Sequence, residues 1–379
     1  MTFDLPRYRF PAALLLLALA MPAAVAADVP PDAPASPQAP TAAAPPPIPP
    51  ALPANFAERP EVQRFVDTLV AKHGFDKAAL LELFRQARFE PDVLKAILPP
   101  PTPATRSWQS YRARFIETRR IRKGLEFWQA HDTALRRATQ TYGVPAEIIV
   151  AIIGIETFYG QNTGRYQTFS ALATLAFDYP PRADLFRREL EELLLLARER
   201  KTDPLAYTGS FAGALGLPQF LPSSLRRYAV DFDSDGAIDL TGDADDAIGS
   251  VANFLSEHGW QKGGAVALPA RIKGSAYTEL ADGRVDPQYT PSDLAAHGIK
   301  ASRPLAADVK VALIDLATPD KPTEYWLGFQ NFYTITRYNR SSFYAMSVFQ
   351  LGEKLRTGDT RGYKRVKRAK VKARRKHRP

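Results

Sequence analysis

The sequence predicts a mainly helical protein of the α+β class, and three observations carry that expectation. Apolar residues recur at helical spacing through 61–98, 106–142, 146–159, 183–200 and 244–259. Residues 265–335 break the rhythm with short β-type runs, AVALPARI, VKVALIDLA and TEYWLGFQNFYTIT, divided by Gly, Pro and Asp turns, which predicts a small β subdomain. The 379 residues are 45% hydrophobic and include no cysteine, so a buried core rather than disulfides must hold the fold.

The chain opens with Arg7 and Arg9 ahead of PAALLLLALAMPAAVAA, and Ala24 and Ala26 suit signal-peptidase cleavage. Residues 1–27 are therefore expected to be a signal peptide that delivers the protein to the periplasm. Their apolar run of about 15 residues is short of the roughly 20 that cross a bilayer, and a retained N-terminal anchor is the alternative. Without cysteine there is no lipidated N-terminus, thiolate metal site or cysteine nucleophile. Residues 28–54 are dominated by Pro and Ala, the composition of an extended, unpacked linker.

The folded region is expected over 55–360. Its first helices place Val62, Phe65, Val66, Leu69 and Val70 on one face, then Leu80, Leu81, Leu83 and Phe84. A last helix is expected near 342–356. From Arg361 to Pro379, eleven of nineteen residues are Lys or Arg, so this tail accounts for the whole net charge of +10 and leaves the rest near −1 (10 − 11). Such a block attracts polyanions. In an exported protein these are anionic membrane or envelope surfaces, nucleic acid is not expected as a partner, and a merely solvated tail is the alternative. We expect a monomer.

Residues 148–160, IIVAIIGIETFYG, hold the most informative side chain. Pro145 suits a first helical turn, and Ile148, Ile149, Ile152, Ile153 and Ile155 leave almost no polar face, so the helix is buried until Gly160 ends it. Glu156 is the one carboxylate in this run, and burying an ionised carboxylate costs several kcal/mol. Burial and the helix C-terminal carbonyls both push its pKa upward. A Glu still protonated near neutral pH can act as a general acid; the plainer alternative is a structural Glu bonded to an Arg or a backbone amide.

Three other segments are candidates for binding. In GSFAGALGLPQFLPSS, 209–224, glycines and prolines forbid a regular element but let backbone approach a ligand. Ser210, Gln219, Ser223 and Ser224 can read hydroxyls and amides there, and Phe211 and Phe220 offer ring faces. In ITRYNRSSFY, 335–344, Tyr338, Asn339 and Tyr344 supply hydrogen bonds beside aromatic surface. DFDSDGAID, 231–239, has EF-hand spacing: Asp231, Asp233, Asp235, the Ala237 carbonyl and Asp239 can surround a hard cation, with Gly236 at position six. Gly242 stands where a bidentate Glu is expected, so the loop must be longer, closed by Asp246 or else by Asp243 or Asp245. A bound Ca²⁺ would order the loop without performing chemistry, and an acidic turn without metal is the alternative. The histidines show no metal-ligand spacing, and Trp108, Trp128, Trp260 and Trp326 read as core.

Five motifs together resemble the membrane-bound lytic murein transglycosylase B family: GIETFYG, AFDYPPRADLFRREL at 176–190, GSFAGALGLPQFLPSSLRRYAVDFDSDG at 209–236, DAIGSVANFLSEHGW at 246–260 and TRYN at 336–339. The resemblance covers about 300 residues, from near 55 to near 356. It implies a lysozyme-like helical core with an added helical domain and a small β domain, acting on peptidoglycan glycan strands. It also implies that Glu156 is the sole catalytic carboxylate, cleaving the MurNAc–GlcNAc β-1,4 bond first as acid and then as base to leave a 1,6-anhydromuramyl end. Asp178 is the nearest rival carboxylate. Ser210, Gln219, Tyr338, Asn339 and Tyr344 match groove-lining positions, Tyr111 and Phe220 are further candidates, and Arg182 is the remaining one of two expected arginines, since Pro181 replaces the first. The resemblance supports an extended calcium loop as well. A hydrolytic muramidase on the same fold and a non-catalytic wall-binding protein are the alternatives.

Overall fold

The structure is a computed structural model that describes residues 55–98 and 106–358. The expected signal peptide, linker and basic tail lie outside the described residues. Three helices come first: α1 (Pro60–His73), α2 (Lys77–Gln86) and α3 (Pro91–Ile97). Asp76 caps α2 by accepting from the Ala79 N–H at 2.7 Å. Then come α4 (Trp108–Phe115), α5 (Thr118–Ala130), α6 (Asp132–Tyr142) and α7 (Ala146–Thr157). A two-residue strand β1 (Tyr166–Gln167) leads into α8 (Thr168–Asp178), a 3₁₀ turn at Pro180–Arg182, and α9 (Ala183–Arg200).

Helix α8 was not among the helices expected from periodicity. Every residue from Thr168 to Ala176 is buried, so TFSALATLA has no polar face to mark a helical rhythm. It packs on α3 and α9, and an aromatic cluster of Phe65, Phe84, Phe169 and Phe177 ties it to the N-terminal helices. Arg59 locks the same junction by forking onto Asp178 at 2.7 and 3.1 Å.

The loop at 209–224 is irregular as expected, flanked by β2 (Thr208–Gly209), which pairs antiparallel with β1, and by α10 (Pro222–Tyr228), which claims its last three residues. Pro222 at the first helical position explains that start. Helix α11 (Ala244–Glu257) follows the acidic loop.

The β subdomain is a four-stranded antiparallel sheet in the order β4-β3-β6-β5, built from β3 (Ala267–Ile272), β4 (Ile299–Ala301), β5 (Ala312–Leu316) and β6 (Glu324–Gly328), with a short helix α12 (Pro291–Ala296) before β4. The register pairs Leu268 with Leu327 and Leu313 with Leu327, and those side chains join Leu280, Leu294 and Ile299 in a second core. The other face, with Ala267, Ala312 and Ile314, joins the main core. The alternation is that of a sheet covered on both sides.

One expected strand is corrected. In TEYWLGFQNFYTIT the strand stops at Gly328, and Gln330–Tyr338 forms helix α13. Aromatic and β-branched residues make the run look like a strand, yet Phe332 and Ile335, three apart, are both fully buried, as one helical face requires. Buried Asn331 secures the turn by accepting from the Gln261 N–H and donating to the Gln261 and Gly264 carbonyls. The last helix, α14 (Ser342–Thr357), runs antiparallel to α7, with Tyr344 meeting Glu156 at one end and Gly352 lying against Glu147 at the other. Among the described residues no single helix is long and apolar enough to cross a membrane.

Candidate active site

Helix α7 is buried on every side from Ile148 to Ile155, as its sequence demands. It ends at Thr157, earlier than the expected stop at Gly160, because Phe158 and Tyr159 both adopt left-handed backbone, with φ of 55° and 60°. Each non-glycine residue in that conformation costs on the order of 1 kcal/mol, so tertiary contacts must impose it. The Tyr159 ring fills a slot between α5 and α7 that exists only because Gly124 and Gly154 lack side chains: a Cβ on either would lie 2.3 and 2.5 Å from its hydroxyl. Phe158 is clamped by Arg119 and Arg120, whose guanidinium carbons stand 4.9 and 4.8 Å from its centroid, and Arg120 also donates to the Gly154 carbonyl. Thr157 donates from its hydroxyl to the Leu217 carbonyl at 3.0 Å and so ties the last turn to the glycine-rich loop.

Glu156 sits half-buried on this braced turn. Burial pushes its carboxyl up to about 7 from an ordinary 4.5, and the Tyr344 hydroxyl, donating to Oε1 at 2.5 Å, partly opposes the rise. Three of the proposed binding tyrosines gather around it. Tyr344 comes from the first turn of α14, which Ser341 caps, and its ring is nearly parallel to that of Tyr338 at 6.4 Å. Tyr338 ends α13 and donates to the Pro218 carbonyl at 2.5 Å, fixing the same loop. Tyr111 of α4 is held by Phe115 and Phe343. Burial first, and then the negative charge of Glu156, push all three phenols above their ordinary range, so they remain proton donors.

The other candidates have plainer surroundings. Gln219, left-handed at φ 53°, donates from Nε2 to the Thr163 and Gly216 carbonyls at 3.0 and 2.9 Å, which leaves its side-chain carbonyl as acceptor. Phe220 is buried against Tyr338 and Phe254. Ser210 is buried and accepts from the Ala214 N–H at 3.0 Å, bracing the loop. Asn339 accepts from the Ser341 N–H at 3.2 Å at the α13–α14 junction, and Arg182 lies over the Phe186 ring.

Asp178 is committed elsewhere: both oxygens are engaged by Arg59 and the side chain is nearly inaccessible. A second buried carboxylate, Glu189 on α9, escaped the sequence reading because it stands in the charged run RRELEE. It accepts from the Ser223 N–H and hydroxyl at 3.0 and 2.7 Å, a structural role that anchors α10. Arg120 escaped for the same reason, since RRIRKG reads as a solvated face.

In the acidic loop, carboxylate oxygens of Asp231, Asp233 and Asp246 lie within 4.8 Å of one another. Asp246 is buried and accepts from the Phe232 and Asp239 N–H groups at 2.6 and 2.8 Å. Burial raises its pKa, and the charges of Asp243 and Asp231 add to the rise against those two bonds. At Asp233 the bond from the Asp235 N–H opposes, but burial and the carboxylates of Asp235, Asp243 and Asp246 prevail and the pKa is raised. Hard oxygen donors that converge in this way fit a divalent cation such as calcium. Asp243 instead caps α11, and Asp245 faces His131 at 3.5 Å. Asp235 and Asp239 accept from loop N–H groups, including that of Ala237, and stand outside the converging trio.

Comparison with known proteins bears on this arrangement. The Transglycosylase SLT domain matches residues 57–353. The chain is 46% identical over 309 residues to the membrane-bound lytic murein transglycosylase B of Escherichia coli (strain K12), covering 79% of this chain and 83% of that one. The crystal structure of the soluble lytic transglycosylase SltB1 from Pseudomonas aeruginosa superposes with a TM-score of 0.74 at 48% identity, over 79% of this chain and 99% of that one. The Escherichia coli lytic transglycosylase Slt35, solved in complex with calcium, does so with a TM-score of 0.73 at 45% identity, over 80% and 95%. The fold is thus a lysozyme-like helical core, and the raised carboxyl among tyrosines stands in a setting whose relatives cleave murein. At this identity, and over this much of each chain, the protein belongs to the transglycosylase SLT domain family and is a lytic murein transglycosylase of peptidoglycan.

Proposed function

We propose that Glu156 alone carries the acid and base steps of glycan cleavage. Protonated near neutral pH, it gives its proton to the glycosidic oxygen as the C1–O bond breaks, and the GlcNAc unit leaves as an alcohol. The muramyl N-acetyl oxygen holds the positive C1. The Glu156 carboxylate then takes the proton from the C6 hydroxyl, O6 closes onto C1, and the carboxyl is regenerated with no water consumed. Tyr344 steadies the carboxylate in the second half. The observation that carries this reading is a carboxyl raised to about 7 whose nearest rival, Asp178, is neutralised by Arg59. The kcat/KM for glycan should therefore fall as pH rises through about 7, with unit slope; a rate constant to pH 9 would remove Glu156 as the acid.

Tyr338, Tyr111, Phe220, Gln219, Ser210, Asn339 and Arg182 are proposed to line the glycan path. Changing Tyr344 to Phe removes the bond that lowers the Glu156 pKa, so the basic limb should move to higher pH while kcat drops roughly tenfold through lost orientation. An unmoved limb would separate Tyr344 from the acid.

The raised carboxyl also predicts a stability signature. Between pH 4.5 and about 7 the folded state holds the proton that the unfolded state has released, so stability is lost as pH rises through that window. Glu156→Gln should be more stable than wild type above pH 7, by about 1–3 kcal/mol, with the gap closing below pH 4.5. Denaturant melts at pH 4 and pH 8 test this; equal gaps at both would contradict it.

We also propose calcium at Asp231, Asp233 and Asp246, with Asp235, the Ala237 carbonyl and Asp239 completing the shell. When bound, the ion supplies charge neutralisation that orders the loop. The calcium complex of the Escherichia coli relative supports this choice. Action in the periplasm, after export by residues 1–27, and adhesion of the 361–379 tail to anionic envelope surfaces complete the reading.

A further inference from the structure

A cavity of about 1000 Å³ lies where the sheet meets the helical core. The seam is an open cleft, and ligand sites favour such subdomain boundaries. It is not the Glu156 site. Glu147, which lines it, stands nine residues before Glu156 (156 − 147) along α7, roughly 13 Å away at 1.5 Å per residue.

The lining has a distinct chemistry. Trp260 and Trp326 both line it; Trp260 is buried in the main core, and Trp326, packed against that core as its sequence suggests, is only partly buried. Arg112 and Arg303 bring positive charge, and Glu147 and Glu324 bring negative. Arg112 is held to Gln350 at 2.5 Å, Glu353 pairs with Arg356, and Glu147 adds negative charge beside Arg356, whereas Arg303 and Glu324 are exposed and open to a ligand. A bare sugar chain carries no charge to pair with Arg303 and Glu324. A short peptide with carboxylates and an ammonium group would satisfy them and lay its aliphatic parts on the indoles.

Peptidoglycan carries such peptides as branches of its glycan. We propose that this cavity is a second substrate site that takes the peptide stem of the wall, with Arg303 and Arg112 on its carboxylates and Glu324 and Glu147 on its amine. The enzyme would then grip one part of the polymer while Glu156 cuts another. This rests on peptidoglycan as the substrate and not on the role given to Glu156.

The test uses the full chain carrying Glu156→Gln, titrated calorimetrically with a synthetic diaminopimelate-containing stem tetrapeptide and with peptide-free GlcNAc–anhydroMurNAc. The tetrapeptide should bind and change tryptophan fluorescence. Arg303→Glu and Glu324→Lys, both at exposed positions where the fold is not at risk, should each weaken it at least fivefold and leave the disaccharide unaffected. With Glu156 restored, both variants should lower the ratio of the rate on intact sacculi to that on peptide-free glycan. Tetrapeptide binding that is absent at millimolar concentration, or unmoved by both variants, overturns the proposal. So does a cavity that loses disaccharide binding instead. Residual cleavage by the Glu156→Gln chain would count against the catalytic reading alone, so the two failures are distinguishable.

Discussion

Replacing Glu156 by Gln is expected to cut the rate of glycan cleavage by about 10³-fold or more, with folding and glycan binding intact. The amide has nearly the shape of the carboxyl and can still accept from Tyr344, but it neither gives nor takes a proton. If one group serves both steps, as proposed, no partner is left to sustain a partial reaction. Asp178 cannot substitute, since releasing it would break its fork with Arg59. Asp178→Asn should therefore lower stability while leaving the pH limb near 7 in place. Turnover of labelled sacculi, with glycan binding measured in parallel, checks the result. A Glu156→Gln protein within tenfold of wild type would end the single-carboxylate account.

Asp246→Ala is expected to be the most damaging change in the acidic loop. It strips the partner from the part-buried N–H groups of Phe232 and Asp239, at a cost of about 1 kcal/mol each, and it removes one of the three converging carboxylates. A cation at a hundred times its Kd adds roughly 2.7 kcal/mol to the wild type that the variant forfeits. Thermal melts of both proteins in calcium and in chelator separate the contributions. The wild type should lose several degrees on chelation, and the variant should start lower and show no calcium response. A wild type indifferent to chelator would take calcium out of the account and leave Asp246 as a buried brace.

Glu156 was legible because its surroundings are wrong for a charge, and that misfit survives in the structure as a raised pKa beside Tyr344. Helix α7 was legible for a related reason, since isoleucine on every side leaves burial as the sole option. The same uniform burial hid α8, whose serines and threonines turn inward: Thr174 donates to the Ser170 carbonyl, and both accept from N–H groups of the α2–α3 segment. Helix α13 was misread because Phe, Tyr, Ile and Thr favour strands, and only packing against α11 and α14 decides otherwise. The left-handed pair after Thr157 could not be read locally, because neither Phe158 nor Tyr159 prefers that backbone and the slot that holds Tyr159 needs Gly124 of α5 as well as Gly154. Tyr111 joins Glu156 only through the docking of α4 on α14. Residues such as Arg120 and Glu189 look like surface charge in sequence and become structural by tertiary contact.

In the proposed reaction an internal sugar hydroxyl, not water, completes what Glu156 starts. Sacculi digested in H₂¹⁸O and analysed by mass spectrometry test it directly. Muropeptides should end in 1,6-anhydromuramyl units with no ¹⁸O; reducing ends that carry the label would contradict this and assign the second step to a hydrolytic water.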